Sequence, residues 1–250
     1  MEKPAVPPAD HAKLARSDHA PRAPIVQAGK SLTASQRRIP YYRQTLDFTC
    51  GPAALMMAMK ALDPKLPFNR KLELRIWRES TTVFMTSGHG GCSPYGLALS
   101  ACHRGFEVEV YLSGRNALFV DSVRKPEKKQ VIRLVQEDFL EEIHHAPAVK
   151  LRHARLSMND LQQKFNQGAI PVVLISSYRL YKEKIPHWVV ITGFDERSVY
   201  IHDPYLDAEA SRPASGRINA PIAKEDFARL TRYGRSGQRA ILIVKKPGGM

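Results

Sequence analysis

Four widely separated residues have the types and local settings that nucleophilic catalysis by a cysteine requires. Gln44 lies six residues before Cys50, and far downstream come His187 and Asp203. A cysteine thiolate attacks a carbonyl carbon, an imidazole takes and returns the proton, and a carboxylate orients that imidazole. A side-chain amide can stabilise the oxyanion that forms in the attack. The set therefore predicts acyl chemistry with Cys50, His187, Asp203 and Gln44 as the catalytic residues.

The setting of Cys50 is that of a helix start. Gly51 and Pro52 follow it, and proline suits the first helical turn because its missing N–H is not needed there. Free backbone N–H groups and the positive end of the helix dipole at this position favour a thiolate. We expect Gly51 to let a substrate approach the backbone closely. The alternative is a buried structural cysteine beside a loop glutamine, which a Cys-Gly-Pro sequence alone does not exclude.

The setting of His187 is a predicted β-hairpin. A hairpin centred on Asp195 places His187 directly opposite Asp203, and opposed side chains on one face have Cβ atoms about 4.5–5.5 Å apart. Alternation along the strand then turns His202 away from the site. Asp195 is the competing carboxylate, but it lies in the turn itself. The alternative for His187 is a core histidine with no catalytic role.

The elements that must position these residues change in type along the chain. Helical patterns come first, and short β-branched runs separated by turn residues follow, which predicts an α+β fold with a helical lobe packed on a mostly antiparallel sheet. The helix over 52–62 is apolar on almost every face and should be buried. We predict further helices over 94–104, 127–145 (with Val131, Leu134, Val135, Phe139 and Ile143 as one apolar face) and 161–167, and strands over 106–112, 170–176, 187–193, 199–202 and 240–245.

The two ends of the chain differ in composition. Residues 1–36 contain five prolines and no periodic apolar pattern, which predicts a disordered basic tail ahead of one domain over 37–250. The formal net charge of +14 suggests an acidic partner. No nucleic-acid-binding signature accompanies this charge, so the sequence argues against nucleic acid as a partner. Tethering of the domain to RNA by the basic tail stays open as an alternative.

Cysteine usage and hydropathy indicate the compartment. The chain has three cysteines, an odd number without the spacing of a disulfide framework, which argues for reduced thiols in a reducing compartment. No segment approaches 18 consecutive apolar residues and no secretory signal is recognisable. We therefore expect a cytoplasmic protein without a membrane span.

Two short groups of histidine and cysteine invite a metal interpretation. His89 lies three residues before Cys92, and Cys102 is followed directly by His103. Neither group has the paired short-spaced ligands typical of zinc sites. The glycine-rich segment 87–91 lacks the lysine of a phosphate-binding loop, and we predict a loop that borders the active-site cleft. The sequence thus predicts neither a metal nor a cofactor.

The complete pattern resembles the C39-type peptidases, which are papain-like cysteine peptidases that process bacteriocin precursors. Gln44 and Cys50-Gly51 match the family's first motif, and the strand beginning His187-Trp188-Val-Val, with Asp203-Pro204 after it, matches the second. The segments 96–106 and 161–175 resemble the family's second helix and the strand before its histidine. The resemblance covers residues 39–246 and implies a papain-like fold.

The resemblance implies a cysteine peptidase acting on a peptide or protein substrate. The segment 115–155 is longer than a minimal domain needs, and the transporter segments of many members are missing. These departures favour a C39-like subgroup of bacterial proteins, whose members occur fused to or encoded beside acetyltransferase and ATP-grasp enzymes. That subgroup implies a functional association with such enzymes and leaves cleavage after a double-glycine leader as a suggestion. An acyltransferase or deamidase using the same residues and a non-catalytic peptide-binding module stay open.

Overall fold

A computed structural model describes residues 36–82, 90–114, 117–178, 185–205, 216–234 and 236–248. The predicted tail, apart from Gln36, lies outside the described residues, and its boundary stays a prediction. The described residues form six α-helices, namely α1 (Cys50–Leu62), α2 (Arg70–Ser80), α3 (Pro94–Cys102), α4 (Pro126–His144), α5 (Met158–Asn166) and α6 (Lys224–Leu230). They also form seven strands, namely β1 (Glu107–Leu112), β2 (Val149–Arg152), β3 (Ile170–Ser176), β4 (Pro186–Phe194), β5 (Ser198–His202), β6 (Ala220–Ala223) and β7 (Ala240–Lys245).

The strands form one sheet in the order β2-β1-β7-β3-β4-β5-β6. Every neighbouring pair is antiparallel except β1 and β2, which run parallel. Helix α1 packs on β3 and β4, and α2 and α3 pack beside it. The predicted α+β class, with a helical lobe on a mostly antiparallel sheet, is confirmed.

Helix α1 is the centre of the core. Every residue from Ala53 to Met59 has 0% exposure, so the helix is buried on all sides, as its continuous apolar sequence predicts. Because α1 lies directly on the middle of the sheet, its N-terminus is fixed relative to the ends of β3 and β4. This packing is what holds Cys50 in a defined position.

The prediction for helix α4 is wrong in one detail. Its buried side chains are Ile132, Phe139 and Ile143, whereas Leu134 is 54% exposed. Ile132 was not part of the predicted face. The stripe that packs against the domain is therefore rotated relative to the predicted one, and it leaves Leu134 in solvent.

The hairpin of β4 and β5 forms in a different register from the predicted one. Val190 pairs with His202 and Ile191 with Ile201, and a bulge follows between Ile191 and Gly193. Asp203 lies just beyond the end of β5, so it is not directly opposite His187. The register differs by two residues, and a shift of two preserves the face to which each side chain points. Asp203 thus stays on the side of the sheet to which His187 points.

Two further findings complete the scaffold. Helix α2 is not among the predicted elements; its sequence is mostly charged, although Asn69 caps it by accepting a hydrogen bond from the backbone N–H of Leu72. In the described part of the chain, no helix combines the length and the apolar character needed to cross a membrane.

Candidate active site

Cys50 is the first residue of α1 and is 7% exposed. Thr49 occupies the N-cap position but makes no side-chain hydrogen bond to the helix. The N–H groups of Cys50 and Gly51 at the helix start are therefore not capped by Thr49, and Pro52 has no N–H. Helix α1 presents its thiol together with backbone donors and the positive end of the helix dipole.

His187 joins Cys50 and Asp203. Its Nε2 lies 2.7 Å from Oδ1 of Asp203, and both side chains are almost completely buried. A hydrogen bond between the side chains of Cys50 and His187 contributes to the electrostatics of the ring. Because Nε2 is engaged by Asp203, Nδ1 is the ring nitrogen left for the thiol. The structure thus brings Cys50, His187 and Asp203 into one chain of contacts.

The charge state of His187 follows from its neighbours. Burial lowers the pKa of the imidazole, but the negative charge of Asp203, the Cys50 side chain and the hydrogen bonds to both outweigh it and raise the pKa to about 10. An imidazolium that is stabilised in this way can hold a thiolate beside it. At neutral pH the imidazole of His187 therefore carries a positive charge beside the sulfur of Cys50.

Asp203 is fixed from several directions. Its Oδ1 also accepts a hydrogen bond from the backbone N–H of Tyr205 at 3.0 Å, and its own N–H donates to the carbonyl of Arg217 at 2.9 Å. The hydroxyl of Tyr41 donates to the carbonyl of Asp203 at 3.0 Å. The ring of Tyr205 meets the ring of His187 edge to face, with centroids 5.8 Å apart. These contacts restrict the orientations available to the carboxylate and the imidazole.

Gln44 lies on the loop that leads into α1 and is 1% exposed. Its backbone N–H donates to the carbonyl of Pro204 at 2.9 Å, which joins the loop to the residue after Asp203. Its Nε2 donates to the carbonyl of Leu46 at 2.8 Å, while Oε1 is buried without a hydrogen-bond partner among the described residues. An amide nitrogen carries two N–H groups, so one is left for a developing oxyanion.

Gly51 is closely packed inside the protein, and its expected role in substrate approach stays a prediction. A Cβ atom at this position would lie 3.0 Å from Cβ of Cys92 and 3.2 Å from Cδ1 of Trp188. Close packing against Cys92 and Trp188 therefore leaves little room for a side chain at this position. The indole N–H of Trp188 donates to the carbonyl of Cys92 at 3.2 Å, which fixes this wall behind Cys50.

The second cysteine near the site differs from the first in its chemistry. Burial and the nearby Cys50 raise the pKa of Cys92 well above that of an ordinary thiol. Burial also raises the pKa of Cys102, which is more exposed. Both side chains therefore remain protonated thiols at neutral pH. The predicted loop over 87–91 lies mostly outside the described residues, and so does His89, the histidine three residues before Cys92.

The other candidates from the sequence have separate positions. Asp195 lies in the β4–β5 turn, where Oδ1 accepts hydrogen bonds from the N–H groups of Arg197 and Ser198 and Oδ2 accepts one from the hydroxyl of Tyr200. His202 is buried elsewhere, between the carbonyl of Ile39 and another backbone N–H. Within the described residues, no group of three or more histidine, cysteine or acidic side chains could hold a metal ion.

Comparison with known families places the chain. The model of the family described as Peptidase_C39 like family matches residues 39–245, which is most of the chain. The chain belongs to the Peptidase_C39 like family. This membership confirms the resemblance found in the sequence and supports a peptidase type of function.

Several solved structures match the chain at low sequence identity. A double glycine motif protease from an AMS/PCAT transporter, solved in complex with the leader peptide, is 16% identical over 86% of this chain and 96% of its own, with a TM-score of 0.42. The peptidase domain of Streptococcus ComA, a bi-functional ABC transporter, is 16% identical over 82% of this chain and 96% of its own, with a TM-score of 0.40. A protein described as a C39-like peptidase from Bacillus anthracis is 15% identical over 84% of this chain and 96% of its own, with a TM-score of 0.46. None of the curated proteins matches the chain.

Two features of this family member lie outside the sequence predictions. Tyr205 contacts the catalytic-type histidine, and the buried carboxylate of Glu73 lies beneath the loop that carries Gln44. Tyr205 stands two residues after Asp203, so its nearness could have been inferred. Glu73 belongs to α2, a helix that the sequence analysis did not predict. The N-cap residue Asn69, four residues before Glu73, is the sequence signal that could have indicated this helix.

Proposed function

We propose that this member of the Peptidase_C39 like family is a cysteine peptidase in which Cys50 is the nucleophile and His187 the general base and acid. The observation that carries the proposal is the position of His187, whose ring interacts with the side chain of Cys50 and is hydrogen-bonded to Asp203. Each group has the environment that its role needs: a thiol at a helix start, an imidazole with two partners, and a buried carboxylate.

In the proposed reaction, His187 holds as an imidazolium the proton that the thiol of Cys50 gives up, so the attacking group is a thiolate. The thiolate attacks the carbonyl carbon of a peptide bond, and the oxyanion is stabilised by the Cys50 N–H and the Nε2 of Gln44. His187 then donates its proton to the leaving amine, which departs and leaves a thioester on Cys50. Water, deprotonated by His187, hydrolyses the thioester and regenerates the thiol.

Asp203 acts on His187 throughout this cycle. The carboxylate accepts a hydrogen bond from Nε2, which keeps Nδ1 directed at the sulfur and stabilises the imidazolium. Since Asp203 is buried and itself hydrogen-bonded, it holds this orientation without taking the proton. The substrate that we propose is a peptide or protein, and leader-peptide processing is one form that this activity could take.

The decisive experiment measures thiol reactivity and turnover together. We expect iodoacetamide to label Cys50 readily at neutral pH, His187→Ala to abolish that reactivity, and Cys50→Ala to abolish cleavage in a peptide-library assay. Cys92 and Cys102 should remain unlabelled in the folded protein, since burial keeps both protonated. A wild-type Cys50 that reacts no faster than these two cysteines would overturn the proposal.

The fate of the thioester separates hydrolysis from acyl transfer. Mass spectrometry of products formed with and without an added amine shows whether water or the amine takes the acyl group. Release of the free acid in the presence of the amine is the result expected for a peptidase. Complete absence of cleavage from a library that is bound with measurable affinity would instead identify a peptide-binding module.

A further inference from the structure

Glu73 is a buried carboxylate that the proposed chemistry does not use. It lies in the first turn of α2 with 0% exposure, below the loop of residues 42–49 that carries Gln44 and leads into Cys50. We name these residues the Gln44 loop. A carboxylate that is removed from water destabilises the fold unless donors compensate it fully.

Four donors compensate this carboxylate, and all four come from the Gln44 loop. Oε1 accepts from the N–H of Thr45 at 2.7 Å and from the hydroxyl of Thr49 at 2.5 Å. Oε2 accepts from the hydroxyl of Thr45 at 2.7 Å and from that of Tyr42 at 2.9 Å. An ionised carboxylate offers about four acceptor positions, and this loop fills them.

The bonds surround Gln44 in sequence. Tyr42 precedes it by two residues, Thr45 follows it directly, and Thr49 is the last residue before Cys50. Burial together with the charge and hydrogen bond of Glu73 raises the pKa of Tyr42, so its hydroxyl remains a donor. The loop is therefore held to α2 on both sides of the amide.

The same carboxylate also contacts the residue that precedes α1. A threonine at the N-cap ordinarily uses its hydroxyl to cap the first turn. Thr49 makes no such bond, and its hydroxyl lies 2.5 Å from Glu73. The Thr49 hydroxyl accepts instead from the N–H of Leu46 at 3.3 Å, and its bond to Glu73 joins the residue before Cys50 to α2.

We infer that Glu73 is a positioning residue, which holds the Gln44 amide and the start of α1 in the geometry that stabilises the oxyanion. This inference rests on the proposed function, because it concerns the same acyl chemistry. Its mechanical basis is the bonding of both flanks of Gln44 to one rigid helix. Glu73 touches no reacting atom and acts through Gln44 and the helix start.

Two reactions of Cys50 separate this role from a purely structural one. Acylation by p-nitrophenyl acetate forms an oxyanion, whereas alkylation by iodoacetamide is a displacement that forms none. In Glu73→Gln, an amide NH₂ group replaces one of the two carboxylate oxygens. This group cannot accept hydrogen bonds from the donors of the Gln44 loop, so the loop should lose its position. We expect acylation to fall by about 10- to 100-fold, bounded by the loss that follows removal of one oxyanion donor, while alkylation changes less than about two-fold.

A double-variant cycle tests the route of the effect. If Glu73 acts through Gln44, then Glu73→Gln should cost little more acylation on a Gln44→Ala background. The matched control is Glu79→Gln, which removes another carboxylate of α2 whose partners are Arg104 and Ser100, away from the loop. It should lower thermal stability without changing the ratio of acylation to alkylation. Thr45→Val, which removes one donor to Oε2, gives the same test if Glu73→Gln does not fold.

Each outcome decides the inference. Equal losses in both reactions, unchanged acylation, or independent effects of the Glu73 and Gln44 substitutions would overturn the positioning role and leave the proposed function standing. The Cys50→Ala variant gives the background labelling at other residues. If wild-type Cys50 is alkylated above that background but not acylated above it, both the proposed function and this inference are overturned. A selective, non-additive loss of acylation supports both.

Discussion

His187 and His202 lie on neighbouring strands, and each is 2% exposed, yet at neutral pH His187 is positively charged and His202 is neutral. His187 has a carboxylate and a thiol as partners, and its pKa is raised to about 10 despite burial. Burial lowers the pKa of His202 to about 4, because its partners are backbone groups that carry no charge. Two histidines with equal burial therefore differ because His187 has the side chains of Asp203 and Cys50 as partners, whereas His202 is hydrogen-bonded to backbone groups.

The hydrogen bonds of His202 define a neutral ring. Its Nδ1 accepts from the backbone N–H of Asn219 at 3.0 Å, so its Nε2 carries the proton and donates to the carbonyl of Ile39 at 2.9 Å. The ring also meets Tyr41 edge to face, with centroids 5.6 Å apart. His202 thus joins the segment before Gln44 to the segment after Asp203, which is a structural task for which a fixed neutral tautomer is suited.

The largest effect should come from removing the charge that separates the two histidines. We expect Asp203→Asn to lower turnover, by up to about 10⁴-fold, since a neutral amide lacks the charge that stabilises the imidazolium. The pKa of His187, followed by NMR of histidine labelled with ¹³C at Cε1, should fall towards that of His202. A pKa that remained near 10 in this variant would show that Asp203 is not the source of the difference.

The opposite shifts also predict two opposite pH dependences of stability. Between about pH 6.5 and 4 the unfolded chain protonates His202 and the folded chain does not, so acidification should remove up to about 3 kcal/mol of unfolding free energy. The stabilisation from charged His187 is complete below about pH 6.5 and is lost as the pH rises towards 10. Urea unfolding at a series of pH values measures the acid loss of stability due to His202 and the alkaline loss due to His187. An unfolding free energy that rose between pH 6.5 and pH 4 would contradict the prediction for His202.

A variant of His202 tests whether this residue causes the loss of unfolding free energy at acid pH. His202→Gln keeps one donor and one acceptor but cannot be protonated, so the part of the acid loss due to His202 should disappear. At pH 7 we expect a cost of about 1–2 kcal/mol from imperfect hydrogen bonds to Ile39 and Asn219. Iodoacetamide labelling of Cys50 should be unchanged. Retention of the full acid loss in this variant would assign that loss to other groups.

The comparison also shows what the sequence could predict. Alternation along β5 correctly turned His202 away from His187, because a side-chain period of two survives a register error of two. The pairing itself was wrong: the bulge at Ile191 and Gly193 arises where the sequence has no turn signal other than one glycine. The buried helix α1 followed directly from its continuous apolar run, since no other position in a domain accommodates such a segment.

Contacts made by charged residues were beyond the reach of the sequence. Helix α2 contains so many charged side chains that its pattern is typical of an exposed segment, and nothing marks Glu73 as the one that is buried. Its burial depends on donors from Tyr42, Thr45 and Thr49, which lie more than twenty residues earlier. Such a network depends on tertiary packing and leaves no local periodicity.

The smallest effect should come from the carboxylate that competed with Asp203 in the sequence. Asp195 is committed to the turn through Arg197, Ser198 and Tyr200, and these bonds hold its pKa below the usual range. Asp195→Asn should leave turnover within about two-fold of wild type and leave the pKa of His187 unchanged, because the turn lies at the far end of β4 from His187. A loss of turnover comparable with that of Asp203→Asn would mean that the β4–β5 hairpin transmits its geometry to the imidazole. The distinction between His187 and His202 would then depend on strand position as well as on the neighbouring charge.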